Sequence, residues 1–180
     1  MVIKANFLKG PTMDVSFEPK NPRVVKSSVA EAYRIALASN EPIFHPVDAF
    51  IDDRGWSLMN QLQSVLSADG QINFSLQYPG VIKAWHRHAL QTDFWLVVGG
   101  SLKVGVTTPN YDVRWQITLG VIRPGVLIIP PSLWHGAATV GPTSACLLYY
   151  VTKAFNPDDP DEERIDHDSV PNFKWGTEHR

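Results

Sequence analysis

Residues 72–152 limit the fold more than any other part of the chain, because they read as a series of short apolar runs, each closed by turn residues, with no helical spacing. Ile72, Phe74, Leu76 and Tyr78 alternate with Asn73, Ser75 and Gln77, the two-residue period of a half-buried strand. Further strands are predicted over residues 81–85, 94–98, 102–107, 113–119, 126–129 and 145–152. Pro79-Gly80, Gly99-Gly100, Pro109-Asn110, Pro124-Gly125 and Gly141-Pro142 supply the turns between them, since glycine tolerates positive φ and proline pre-sets a bend. Many short strands at this spacing close into a sandwich or barrel. Residues 58–66 read either as a short helix or as a strand running into a turn.

One helix precedes this region, over residues 28–39. Ser28 with Glu31 has the form of a capping box, and Val29, Ala32, Tyr33, Ala36 and Leu37 follow at helical spacing, so an apolar face packs on the outside of a sheet. Asn40, Glu41 and Pro42 end it. Residues 1–26, broken by Pro11, Pro19 and Pro22, read as irregular or strand-like. There is no internal repeat and no long linker. At 180 residues the chain suits one domain: an extension over 1–47 that carries the helix, a barrel over 48–155, and an acidic tail over 156–180 packed on the barrel. Within the tail, residues 156–164 read as a solvated loop.

Composition narrows the function classes. Hydrophobic residues at 44% with 19% charged describe a globular chain rather than a disordered one. A net charge of -2 gives no basic excess for nucleic acid or an anionic membrane. The single cysteine, Cys146, forms no internal disulfide and reads as a small buried hydrophobe. No stretch approaches the roughly 18 apolar residues of a membrane span, and residues 1–6 carry no signal-type apolar core. The expectation is a soluble cytoplasmic protein.

Three of the six histidines stand out. His86 and His88 lie two apart at the end of a strand run, so both imidazoles face one way. Asp93 follows within the spacing Gly80–His86–His88–Asp93–Gly100, and Pro130 precedes His135 by a proline-broken turn. This set resembles the two motifs of the cupin barrels, all-β jelly rolls (double-stranded β-helices). Asp93 stands where the first motif usually has glutamate, and Ser132 where the second usually has glycine. The resemblance implies a divalent transition metal held by His86, His88, Asp93 and His135, a donor set that suits iron, manganese, nickel, copper or zinc.

A second resemblance spans residues 48–176. Asp52-Asp53-Arg54-Gly55-Trp56, Gly80-Val81-Ile82-Lys83-Ala84-Trp85-His86, the run from Ile129 and Pro130 to His135-Gly136, Leu148-Tyr149 before Phe155-Asn156-Pro157, and Asp168 before Trp175 are similar, in chain order, to signatures of the dTDP-4-dehydrorhamnose 3,5-epimerases. That resemblance implies a nucleotide-sugar isomerase needing no cofactor. His86 would be the base that removes a proton beside the ketone of a dTDP-4-keto-6-deoxyhexose, Asp168 its orienting carboxylate and Tyr149 the acid. Lys83 stands at a family arginine, Arg54 would hold the diphosphate, His135 would contact substrate, and Trp175 would lie near the nucleotide base. A homodimer is implied as well.

The chain departs from that family. Asp93 replaces a lysine that steadies the enolate oxygen, His88 replaces a glutamine, and Met59 replaces an acidic residue. A carboxylate repels a developing oxyanion, whereas a metal at the four-residue set would polarise a carbonyl. The two resemblances assign His86 different tasks, base or ligand. Three functions therefore stand: a nucleotide-sugar isomerase, a metal-dependent cupin enzyme, and a sugar-binding cupin in which Trp85, Trp95 and Trp134 stack on sugar. Plain structural roles compete for several residues. Arg54 can cap the Asp52 turn, Tyr149 can be a core tyrosine, and Asp168 can be surface charge.

Overall fold

The structure is a computed structural model that describes residues 18–177. Most of the 1–26 segment lies outside those residues. In chain order the elements are β1 (Arg23–Val24), α1 (Val29–Ser39), β2 (Ile43–Pro46), β3 (Ala49–Asp52), β4 (Gly55–Leu58), β5 (Gln71–Gln77), β6 (Ile82–Arg87), β7 (Asp93–Gly99), β8 (Ser101–Thr107), β9 (Arg114–Gly120), β10 (Gly125–Ile129), β11 (Trp134–Thr139), β12 (Ala145–Val151) and β13 (Glu163–Arg164). The strands predicted over 72–152 are all present. Over residues 58–66 the strand-into-turn alternative holds: Leu58 ends β4 and residues 61–65 form turns.

Two sheets face each other, one ordered β1-β2-β10-β7-β12-β5 and the other β13-β6-β11-β8-β9. Trp95, Val97, Leu127, Ile129 and Leu147 from the first meet Leu102, Val104, Val106, Ile117 and Leu119 from the second in one buried cluster. Each large apolar side chain removed from water there stabilises the fold by about 1.5–3 kcal/mol. β7 is covered on both sides. Asp93, Trp95 and Val97 point between the sheets, while Phe94 and Leu96 point outward beneath α1. That double burial explains why β7 reads as a continuous apolar run instead of an alternation.

α1 packs on the outer face of the six-stranded sheet through Val29, Ala32 and Ala36. Ser28 Oγ accepts the Glu31 N–H at 3.1 Å, as its capping role requires. The Glu31 carboxylate turns to Arg34 instead of back to Ser28. Asn40 takes the left-handed conformation that stops the helix. Leu37, expected on the packed face, is exposed, and Cys146 is half-buried rather than buried.

The polar and apolar rows of β5 behave differently from an ordinary half-buried strand. Gln71, Asn73, Ser75 and Gln77 line an internal cavity, and Ile72, Phe74, Leu76 and Tyr78 are exposed on an edge strand. β3 and β4 form a separate two-stranded hairpin that exposes Phe50, Ile51 and Trp56. The 156–164 segment is a solvated loop only in its first part, because β13 adds to the edge of β6. Beyond it, Val170, Phe173 and Trp175 pack on Trp85 against the outer face of the five-stranded sheet. Gly105 makes this approach possible, since a Cβ there would lie 2.4 Å from the Phe173 ring. No helix among the described residues is long and apolar enough to cross a membrane.

Candidate active site

The cavity between the sheets has a volume of about 950 Å³, at the upper end of what small-molecule sites occupy. Three strands and two loops bring its polar cluster together. β6 carries His86 and ends just before His88, β11 carries His135 directly opposite His86, and β7 begins at Asp93 on the facing sheet. The 130–133 turn delivers β11. In it Ser132 has φ 70° and donates its N–H to His88 O at 2.6 Å. A left-handed residue at this point explains why a related motif has glycine there.

The ligating atoms of His86, His88, Asp93 and His135 all lie within 4.8 Å of one another, and all but His86 are buried. The His86 and His135 rings are 4.2 Å apart between centroids. His135 Nδ1 is 2.9 Å from the Leu133 carbonyl, and His88 Nδ1 is against the Asp161 carbonyl. A carbonyl only accepts, so each Nδ1 presents its proton there, and Nε2 is the ring atom left to face the cluster. His135 Nε2 is buried without a hydrogen-bond partner, 3.5 Å from Asp93 Oδ2. Asp93 is itself steadied, with Oδ1 accepting from Gln91 Nε2 at 2.7 Å and Oδ2 from Trp95 Nε1 at 3.0 Å. Burial works against its ionised form, but His135, His88 and Gln91 more than offset this and hold the carboxyl well below its usual range. Imidazoles oriented through Nδ1, a buried Nε2 without a partner and an anchored carboxylate are what a divalent-metal site requires. These residues fit such an ion.

His86 differs from its neighbours. It is only half-buried and makes no side-chain hydrogen bond with another described residue. Burial, and then the adjacent His135, push it well below its ordinary value against the pull of Asp93, so its imidazole is neutral at pH 7.

Lys83 and Tyr149 also line the cavity. Lys83 Nζ donates to Ser75 Oγ at 2.9 Å. Tyr149 points between the sheets and Tyr150 to the other face, where its hydroxyl accepts the Ser67 N–H. Burial, then Asp93 and Glu162, raise the Tyr149 phenol above its ordinary value. Trp95 lines the cavity and stacks on His86. Trp134 instead lies under the Arg87 guanidinium in the outer cluster.

Three sequence expectations place residues where the structure does not. Asp168 is exposed and makes no hydrogen bond to His86. The indole N–H groups of Trp85 and Trp175 both fix the His167 carbonyl, at 3.0 and 2.9 Å, and the following turn carries Asp168 into solvent. Trp175 is buried in that outer cluster, stacked with Trp85 and Phe173, and does not line the cavity. Arg54 lies in the exposed β3–β4 turn, where its N–H reaches Asp52 Oδ1 at 2.9 Å, because the hairpin pairs only with itself. Met59, at the position of the lost acidic residue, is exposed beyond the same hairpin.

Other cavity residues carried no motif in the sequence. Gln91 supports Asp93, and Glu162, Arg164, Asp166 and His167 form one wall. The polar row of β5 was visible as alternation, but its direction was not.

Comparison with known proteins places the chain in a family. The family model described as polysaccharide biosynthesis C-terminal domain matches residues 50–163. The chain is 36% identical over 137 residues to the spore coat polysaccharide biosynthesis protein SpsL of Bacillus subtilis, covering 72% of this chain and 91% of that one. It is 36% identical over 101 residues to the "Probable low-salt glycan biosynthesis epimerase Agl13" of Haloferax volcanii, covering 53% and 65%. Among solved structures it is similar to a dTDP sugar isomerase from Desulfovibrio desulfuricans G20, with 28% identity, a TM-score of 0.66 and coverage of 74% and 90%. With a cupin jelly roll and a match across more than half its length, the chain belongs to the polysaccharide biosynthesis C-terminal domain family and is a divergent, epimerase-like enzyme.

Proposed function

We propose that the chain epimerises a carbon beside the ketone of a dTDP-4-keto-6-deoxyhexose, with His86 as base, Tyr149 as acid, and a divalent transition metal held by His88, Asp93 and His135. One observation carries this reading. His86 and Tyr149 enter the same cavity from opposite sheets, β6 and β12. An epimerase must take a proton from one face of a carbon and return one to the other, and two groups on facing walls can do that.

His86 Nε2 or Nδ1, neutral at pH 7, accepts the proton, and the C–H electrons pass into the enolate. Tyr149 O–H then donates to the opposite face, and its phenolate regains a proton from solvent as His86 loses its own. General acid–base catalysis of this kind contributes about 10²–10⁴ in rate. Lys83 offers its ammonium to the enolate oxygen, in place of the lysine that Asp93 displaces. A bound metal supplies Lewis-acid polarisation of the ketone. Assigning the metal to the three buried donors leaves the half-buried fourth, His86, free to take a proton. His135 would then serve to hold the metal rather than to contact substrate.

The exposed apolar faces of β5 and of the β3–β4 hairpin support a homodimer, since contiguous apolar surface of this kind marks interaction sites. Arg54 can hold a diphosphate only if a second copy brings its hairpin to a cavity.

The experiment is to compare wild type, His86→Asn and His88→Asn by elemental analysis and by deuterium entry from heavy water into a dTDP-4-keto-6-deoxyhexose. His86→Asn should keep the metal and lose exchange, and His88→Asn should lose the metal. Absence of wild-type exchange at the carbons beside the ketone would overturn the epimerase reading. Loss of metal in His86→Asn would make His86 a ligand.

A further inference from the structure

The wall of the cavity formed by residues 161–167 is fastened to the metal cluster through one residue. Asp161 Oδ1 accepts the Ala89 N–H at 2.8 Å, and Oδ2 accepts the Leu90 and Gln91 N–H groups at 2.9 and 3.0 Å. Three successive backbone donors on one carboxylate form a tight anion nest. The main-chain carbonyl of the same residue accepts from His88 Nδ1 and so orients the ring with Nε2 toward the cluster. The loop it clamps carries Gln91, whose side chain holds Asp93. Asp161 therefore supports His88 directly and Asp93 through one intermediary.

The residues after it form the wall. Glu163 and Arg164 pair with Arg87 and His86, Trp85 and Ile165 exchange backbone hydrogen bonds of 3.1 Å in each direction, and Glu162, Arg164, Ile165, Asp166 and His167 line the cavity.

We propose that Asp161 is a positioning residue that couples metal occupancy at His88, Asp93 and His135 to docking of the 161–167 wall over the substrate cavity. This rests on the metal reading given above. A metal that binds Nε2 of His88 strengthens the Nδ1–H bond to the Asp161 carbonyl, and a docked Asp161 holds His88 and the Gln91 loop ready for the metal. By linkage each event favours the other to the same extent. Outer-shell partners of metal ligands typically change affinity by about 10–100-fold when removed.

The test measures Zn²⁺ affinity of wild type, Asp161→Ala, Asp161→Asn and Glu163→Gln, and amide hydrogen exchange of wild type with and without Zn²⁺. Asp161→Ala should weaken Zn²⁺ by about 10–100-fold, Asp161→Asn by less, and Glu163→Gln by less than about twofold, because it removes only the exposed Arg87 pair. Zn²⁺ should slow exchange at the amides of Ala89, Leu90, Gln91 and Ile165. Unchanged affinity in Asp161→Ala, or unchanged wild-type exchange at those amides, overturns the coupling while leaving the metal site standing. Absence of Zn²⁺ uptake by wild type overturns the metal reading and the coupling with it. The exchange arm needs no variant to fold.

Discussion

Lys83 and His86 face the same cavity although they lie three apart on one strand. An odd separation normally sends two strand residues to opposite faces. Here β6 carries one extra residue: His135 pairs with His86 and Ala137 with Lys83, so two steps on β11 oppose three on β6. The bulged residues Ala84 and Trp85 both lean outward, Ala84 against Gly136 and Trp85 against Gly105. Bulges re-aim side chains in this way near functional sites. Lys83→Met should therefore lower kcat by about 10²–10³ with little change in KM, the loss expected when a donor to a developing oxyanion is removed. Steady-state kinetics on the keto sugar checks it, and a rise in KM alone would assign Lys83 to ground-state binding.

Tyr149 sets the alkaline behaviour. Burial, Asp93 and Glu162 all disfavour its phenolate, so the acid form persists through neutral pH and is lost only above the ordinary value near 10. The alkaline limb of kcat should lie above pH 10. Tyr149→Phe should lose that limb and epimerisation together, while His86 still exchanges the substrate C–H with solvent. A pH profile with an alkaline limb near 8 would point to another acid.

Trp175 should matter for stability and not for binding. Trp175→Ala removes a buried indole from the cluster with Trp85 and Phe173 and should cost about 3–5 kcal/mol. Denaturant unfolding measures this. Nucleotide affinity at a temperature where the variant is folded should match wild type, contrary to a base-stacking role.

The exposed β3–β4 hairpin and β5 face predict the behaviour of interface variants. Ile51→Asp and Phe74→Asp place charges on side chains that are 78% and 61% exposed, so neither should lower the stability of the monomer by more than about 0.5 kcal/mol. Both should shift sedimentation toward monomer. If wild type sediments as a monomer at working concentration, the homodimer falls, and Arg54 has no route to a cavity.

Much of this protein was legible without coordinates. Alternation and turn chemistry identified β5 to β10 and β12, though not β2 or β11, because a period of two and a Gly–Pro break are local properties. Ser28 and Asn40 marked both ends of the helix for the same reason. The spacing of His86, His88, Asp93 and Pro130–His135 was enough to gather one cluster. Tertiary structure alone decided which way each row faced. β5 turns its polar row inward because the interior there is a cavity, and the bulge at Ala84–Trp85 reverses the sense of Lys83. Asp161 and Glu162, read as part of a solvated acidic loop, become site residues only when β13 joins β6. Asp168 and Trp175 leave the site because two indoles fix His167 on the outer face. Short-range pattern determined the elements and the identity of the cluster. Side-chain direction across a bulge and the docking of a segment more than 70 residues distant from His88 depend on long-range packing, which a linear pattern does not encode.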